Sequence, residues 1–373
     1  MVLAQPPHAD LTAHQFIARD SRVTRAGKCC LARVFMRAAA GLAIALTGLG
    51  LWIAQTPAYA QASVSVNPLI TPAELKTLIE KKAVVVLDIR EIFQTDGKTP
   101  NYDAGHIPGA LAAPYSEIRG PGKNPGQMIS EEDFSEIVSE LGITPDQHIV
   151  FAGTGGDATD FGGNARYYWT FKIAGFKKLS ILDGGLGAWM ALKYPLSTET
   201  PVVKNSNVKL KFDYSQVATH ETIASAMGLT GNASNSASKK LRLWDTRPEE
   251  YFLGEDKHNE AARSGTLPGA KHFDQEEFFQ LNTGKLLPKE KLLSIAKSEN
   301  LLSDDETISF CNTGHWSATG WFILSEILGM KNVKVYPESI IGWSKTKLPM
   351  DNEPKRTKIL WQELKDGVRN LKL

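Results

Sequence analysis

The chain has 373 residues, with 42 Lys or Arg against 41 Asp or Glu and a net charge of +1 at pH 7. A balance this close carries no electrostatic case for binding nucleic acid or anionic lipid. The N-terminus is the exception to an otherwise ordinary composition. Ala38–Ala54 is apolar and uncharged, Arg33 and Arg37 precede it, and Ala58–Tyr59–Ala60 follows with small residues at both ends. A charged start, an apolar middle and a small-residue exit predict a secretory signal peptide over residues 1–60. Met36 followed by Arg37 would open an ordinary signal peptide, so Met36 is an alternative start. The competing reading is an uncleaved membrane anchor, which the short apolar run fits less well. The expected location is periplasmic or secreted.

Cleavage after Ala60 leaves 313 residues, enough for about two domains. It removes six Lys or Arg, two Asp, Cys29 and Cys30, so the net charge becomes −3 and Cys311 alone remains. One cysteine forms no intramolecular disulfide. In an exported chain it pairs with another chain or serves as a reactive thiol. No later apolar run is long enough to span a membrane.

Thr71-Pro72 opens an amphipathic helix, Ala73–Glu80, since Thr caps well and Pro suits the first helical position. The run from Ala83 to Ile89 is a buried strand, and Glu132–Gly142 a helix closed by glycine. His148–Phe151 is a strand, Ala165–Gly175 a helix and Lys178–Leu182 a strand. Alternating strands and helices predict an α/β fold with a mainly parallel sheet and helices on both faces. Ligands of such sheets sit beyond the carboxyl ends of the strands.

The pattern then repeats. "VVVLDIR" at Val84–Arg90 resembles "LRLWDTR" at Leu241–Arg247, and "GHIPGA" at Gly105–Ala110 resembles "GTLPGA" at Gly265–Ala270. "HIVFAGTGG" at His148–Gly156 resembles "TISFCNTGH" at Thr307–His315, and Ile173–Trp189 resembles Ile327–Trp343. Four matches in one order mean two copies of one domain. The plan is a first domain at 66–200, a linker at 201–240 that ends in the polar Gly231–Lys240 stretch, a second domain at 241–353, and a tail at 354–373.

In the second copy Cys311 is the first residue after the strand "TISF". Cys311–Trp316 is a tight loop, and Ser317–Leu328 a helix with Trp321, Leu324 and Leu328 on its apolar side. A helix N-terminus and a loop of backbone N–H groups favour a thiolate and bind anions. The alternative is an inert, buried cysteine acting as a small apolar residue; its position in the loop and Gly314 argue against that.

Taken together, the tandem Asp-x-Arg, "PGA" and "DGGLGAW" signatures, with Cys after the second "ISF", resemble the two-domain rhodaneses, which are thiosulfate or 3-mercaptopyruvate sulfurtransferases. The resemblance covers Val66 to Glu353. It implies two tandem rhodanese-like domains, of which the C-terminal copy is catalytic and the N-terminal copy has lost its cysteine. Ala152 is expected where Cys311 stands. The first copy's loop is expected to be longer, with Asp157 and Asp160 repelling an anionic donor. The resemblance further implies double displacement through a Cys311 persulfide, with Asn312, Thr313, Gly314, His315 and Trp316 forming the substrate-binding loop. No cofactor or metal is required. The partners would be a small sulfur donor, thiosulfate or 3-mercaptopyruvate, and a thiophilic acceptor such as cyanide, a thiol or an acceptor protein.

The sequence departs from the family pattern in places. The loop "CNTGHW" has no Arg or Lys, leaving His315 as its only side chain able to carry positive charge. The Arg that some members place two residues after "DGG" is Gly187 here, and the second copy reads "YPESIIGW" instead. Asp245 and Arg247 support the loop or, since Asp88 and Arg90 repeat them, form an internal ion pair. Arg263 is placed against an anionic substrate or in solvent. His106 reads as structural, and His258 and His272 have no metal-ligand spacing with any Cys. "GTGGDATDFGG" lacks the Gly-Lys-Ser/Thr ending of a phosphate-binding loop. Two other functions compete with this one. A Cys-based phosphatase wants an Arg at the loop's end to clamp phosphate, and position 317 is Ser. A non-enzymatic persulfide carrier or binding module would keep the chemistry but serve one protein partner.

Overall fold

The structure, a computed structural model, describes residues 66–120, 122–230 and 241–354. The expected signal peptide, the Gly231–Lys240 stretch and all but the first residue of the tail lie outside the described residues. Among the described residues, no helix is long and apolar enough to cross a membrane.

Thr71 caps α1 (Pro72–Glu80) as a reciprocal capping box with Glu74, with Pro72 at the first helical position. The remaining first-copy elements are β1 (Leu69–Ile70), β2 (Val85–Asp88), β3 (Leu111–Ala112), α2 (Glu131–Glu140), β4 (Ile149–Ala152), α3 (Ala158–Ile173), β5 (Leu179–Leu182) and α4 (Gly185–Ala191). The strands form one parallel sheet in the order β1-β5-β4-β2-β3. The strands β4 and β5 are buried along their whole length, as expected of strands covered on both faces.

After α5 (His220–Ala226) the plan recurs: β6 (Leu241–Asp245), α6 (Glu249–Phe252), β7 (Lys271–His272), α7 (Lys289–Ser298), β8 (Glu306–Phe310), α8 (Trp316–Trp321), β9 (Val333–Val335) and α9 (Ser339–Ser344). Their sheet is also parallel, in the order β7-β6-β8-β9. Val217 bridges Val335 in parallel at the edge that β1 holds in the first sheet. The predicted α/β fold with two helix-flanked parallel sheets is the observed one.

The two sheets face each other through α3 and α8. Phe322 sits 5.0 Å from Tyr168 and 5.7 Å from Phe161, ring to ring. The carboxylate of Glu326 accepts from Tyr168 Oη at 2.7 Å and Lys172 Nζ at 2.9 Å. One apolar cluster therefore runs through both copies and includes Phe151, Phe161, Phe279 and Phe322.

Two details of the repeat differ from expectation. Strand register pairs Asp88 with Ala152 and Asp245 with Phe310. The carbonyl of Gly153 accepts from Leu186 N at 2.9 Å, and that of Cys311 from Ile340 N at 3.0 Å. Gly153, not Ala152, therefore occupies the place of Cys311. Nor is the first loop longer. Gly153–Asp157 and Cys311–His315 each lead directly into a helix, and the extra residues lie inside α3. That helix has 16 residues, whereas α8 continues as a π-helical stretch, Phe322–Ile327, to an end equivalent to that of α3.

Candidate active site at the end of β8

The strand β8 delivers Cys311 to the carboxyl edge of the second sheet, 1% exposed. Two hydroxyls flank its sulfur: Ser317 Oγ at 3.7 Å and Ser339 Oγ at 4.0 Å. Ser339 also accepts from Cys311 N at 3.0 Å and donates to Tyr336 O at 2.7 Å. It lies in "YPESIIGW", so the departure from "DGG" puts a buried hydroxyl beneath the thiol.

The backbone N–H groups of Asn312, Thr313, Gly314 and His315 donate to no acceptor among the described residues. Curled after a strand end, they form an anion cradle. Gly314 has φ +73°, the left-handed region. A side chain there would also collide with Arg166 Nη1 and the carbonyl of Pro337.

The first copy's equivalent loop is bonded by carboxylates of its own. Asp157 caps α3 by accepting from Asp160 N at 2.8 Å, and Asp160 Oδ2 accepts from Gly156 N at 2.8 Å. Burial raises the Asp160 carboxyl above its ordinary range. Asp160 therefore occupies one N–H group of this loop, and the second copy has no carboxylate in that place.

His315 is not the loop's cation. Its Nδ1 accepts from Tyr115 Oη at 2.9 Å and its Nε2 donates to Thr159 O at 2.7 Å. Burial, with Arg119 and Arg166 adding repulsion, lowers its pKa to about 3. The ring is neutral and fastens the loop to the first copy, where Gly162 leaves it room. Trp316 Nε1 donates to Thr159 Oγ1 at 3.3 Å.

Positive charge comes instead from the first copy, which the sequence did not disclose. Arg119 Nη1 donates to Thr313 O at 3.0 Å and to Tyr115 Oη at 2.8 Å. Arg166, 1% exposed, donates to Gly314 O at 3.1 Å and Gly126 O at 3.2 Å, and its guanidinium stacks 5.0 Å above Trp169. Burial lowers its pKa to about 10, so it stays protonated at neutral pH.

Arg247 and Asp245 form a buried pair at 2.7 Å, and Arg247 also donates to Gly265 O and, at 3.3 Å, to Asn312 Oδ1. Arg90 and Asp88 repeat the pair and the bond to Gly105 O. The pair is thus architectural, and the contact with Asn312 is the second copy's addition. Arg263 is partly exposed and is not at the loop. It donates to the carbonyls of Ser344, Thr346 and Leu348 and pairs with Glu353.

Such an arrangement presents a thiol inside a ring of N–H donors, with two guanidinium groups behind the ring. It suits a nucleophile whose product is an anion. The rhodanese-like domain family matches residues 71–192 and 232–346. The chain is similar to the thiosulfate sulfurtransferase of Azotobacter vinelandii, with 26% identity over 74% of this chain and 93% of that one. It is similar to the sulfur carrier protein TtuD of Thermus thermophilus, with 26% identity over 68% and 87%. Among solved structures, the anaerobic ergothioneine biosynthesis enzyme of Chlorobium limicola has a like fold. Its TM-score is 0.64 at 18% identity, over 77% of this chain and 70% of that one.

Proposed function

The chain belongs to the rhodanese-like domain family and is a sulfurtransferase, and we propose that it moves a sulfane sulfur from an anionic donor through a persulfide on Cys311. The thiolate of Cys311 attacks the donor's outer sulfur. A new S–S bond forms, the bond within the donor breaks, and the remnant leaves with the electron pair. A thiophilic acceptor then attacks the outer sulfur of the persulfide and takes it, and the thiolate is restored. This divides one transfer into two displacements.

The observation that carries the reading is the set of four unbonded N–H groups, Asn312 to His315, beside a thiol at a strand end. Preorganised donors of this kind stabilise negative charge where it develops. Thiosulfate is the first candidate donor and 3-mercaptopyruvate the second, since both are anions and Arg119 and Arg166 sit behind the loop. Residues 66–200 serve as the non-catalytic domain and 241–353 as the catalytic domain; of the expected linker at 201–240, Val217 and α5 pack with the catalytic domain. The first 60 residues export the chain to the periplasm or beyond. Comparing kcat/KM for thiosulfate and 3-mercaptopyruvate with cyanide as common acceptor tests the enzyme reading, and rates at background with both donors would refute it.

The likeness to a sulfur carrier protein supports a second reading. In that reading Cys311 accepts sulfur from the donor but hands it to one protein partner. Single loading without turnover on cyanide or small thiols distinguishes it.

A further inference from the structure

Arg119 and Arg166 make no hydrogen bond to the thiol. They touch the loop's carbonyls. The carbonyl of Thr313 shares its peptide unit with the N–H of Gly314, and that of Gly314 shares its unit with the N–H of His315. Arg119 bonds the first of these units and Arg166 the second, at 3.0 and 3.1 Å. A charged donor on a carbonyl polarises the peptide and strengthens the N–H at its other end.

Both N–H groups are free. Arg166 is buried, its Nε has no partner, and neither arginine has a carboxylate within ion-pair distance among the described residues. A buried cation without a counter-ion is costly unless an anion arrives. The groups whose charge would stabilise the Arg166 cation are the Tyr115 hydroxyl and Cys311.

The other face of the pseudo-symmetric pair lacks this device. Arg119 follows the 3-10 turn Tyr115–Ile118 and bridges Met128, while Phe279 follows the turn Gln275–Phe278 and bridges Leu286. Phe279 packs on Phe161, in the first turn of α3, at 5.3 Å.

We infer that Arg119 and Arg166 are positioning residues by which the cysteine-less copy charges the N–H cradle of the other, stabilising an anion on Cys311 through the intervening peptides. The inference rests on the reading of Cys311 as the reacting thiol. Other titratable groups around the loop are Tyr115, the neutral His315, and Glu338 with its neighbour His220.

The test is a pH titration of thiolate ultraviolet absorbance on the full chain, each protein measured against its own Cys311→Ser counterpart. Arg119→Gln and Arg166→Gln should each raise the midpoint by about one pH unit, a tenfold loss of thiolate below it. Arg119→Lys, which keeps the charge, should hold the midpoint close to that of wild type. Circular dichroism monitors folding; if Arg166→Gln unfolds, the half-exposed Arg119 pair still decides. Folded Gln variants with the wild-type midpoint would overturn the inference. Because the titration needs no donor, it can fail while sulfur transfer stands, and hold while sulfur transfer fails.

Discussion

Ser339 and Gly185 hold the same left-handed backbone, φ 50° and 51°, at the same point of the two copies. Glycine adopts that conformation freely, while a residue with a Cβ costs about 1–2 kcal/mol there. The second copy tolerates that cost and gains a buried hydroxyl that accepts the Cys311 N–H. Ser339→Ala keeps the backbone strain and leaves that N–H unpaired, a loss of about 1–3 kcal/mol. Ser339→Gly loses the same bond but relieves the strain. The glycine variant should therefore melt above the alanine variant and below wild type. An alanine variant as stable as wild type would show that the hydroxyl is not needed.

The correction of Ala152 to Gly153 sets the test of asymmetry between the copies. Cys311→Ser should abolish sulfur transfer and leave the fold intact. Gly153→Cys added to it should not restore activity. The new side chain meets the Asn164 amide at 2.7 Å, the loop's Gly156 N–H is taken by Asp160, and Phe279 stands where the other copy has Arg119. Substantial activity in the double variant would mean that the copies are interchangeable.

A third expectation concerns pH. The folded-state pKa of His315, about 3, lies below the ordinary 6.5. The unfolded state thus binds the proton more readily. The associated stability is full above pH 6.5 and falls as pH drops toward 3, by up to about 1.4 kcal/mol per pH unit. His315→Gln keeps an acceptor for Tyr115 and a donor for Thr159 without titrating, so it should lose less stability between pH 6.5 and 4. Equal acid sensitivity in urea titrations would remove His315 from the account. His315→Arg should be destabilising at every pH, since it adds a third cation beside Arg119 and Arg166.

The parts legible in sequence were those governed by local chemistry. Thr71-Pro72 and Glu74 announced a capped helix, the run to Asp88 a buried strand, and the apolar "TISF" the strand that delivers Cys311. The one-residue slip to Ala152 arose because Phe-Ala and Phe-Cys align well by type, while register depends on hydrogen bonds to neighbouring strands. The glycines of "GTGGDATDFGG" suggested a loop throughout, yet Gly162 and Gly163 lie inside α3, where Gly162 makes room for the ring of His315. The arginines of the cradle were unreadable for a different reason. Arg119 meets Thr313 across 194 positions and Arg166 meets Gly314 across 148. No local pattern marks such pairs; only the packing of one copy against the other creates them.

The central claim is that Cys311 carries the sulfur between donor and acceptor. Intact-mass analysis after exposure to donor, with no acceptor present, tests it most directly. The account predicts a protein one sulfur atom heavier, the addition mapping to the peptide that contains Cys311 and disappearing on treatment with cyanide. An unmodified Cys311 after exposure to both thiosulfate and 3-mercaptopyruvate would contradict it.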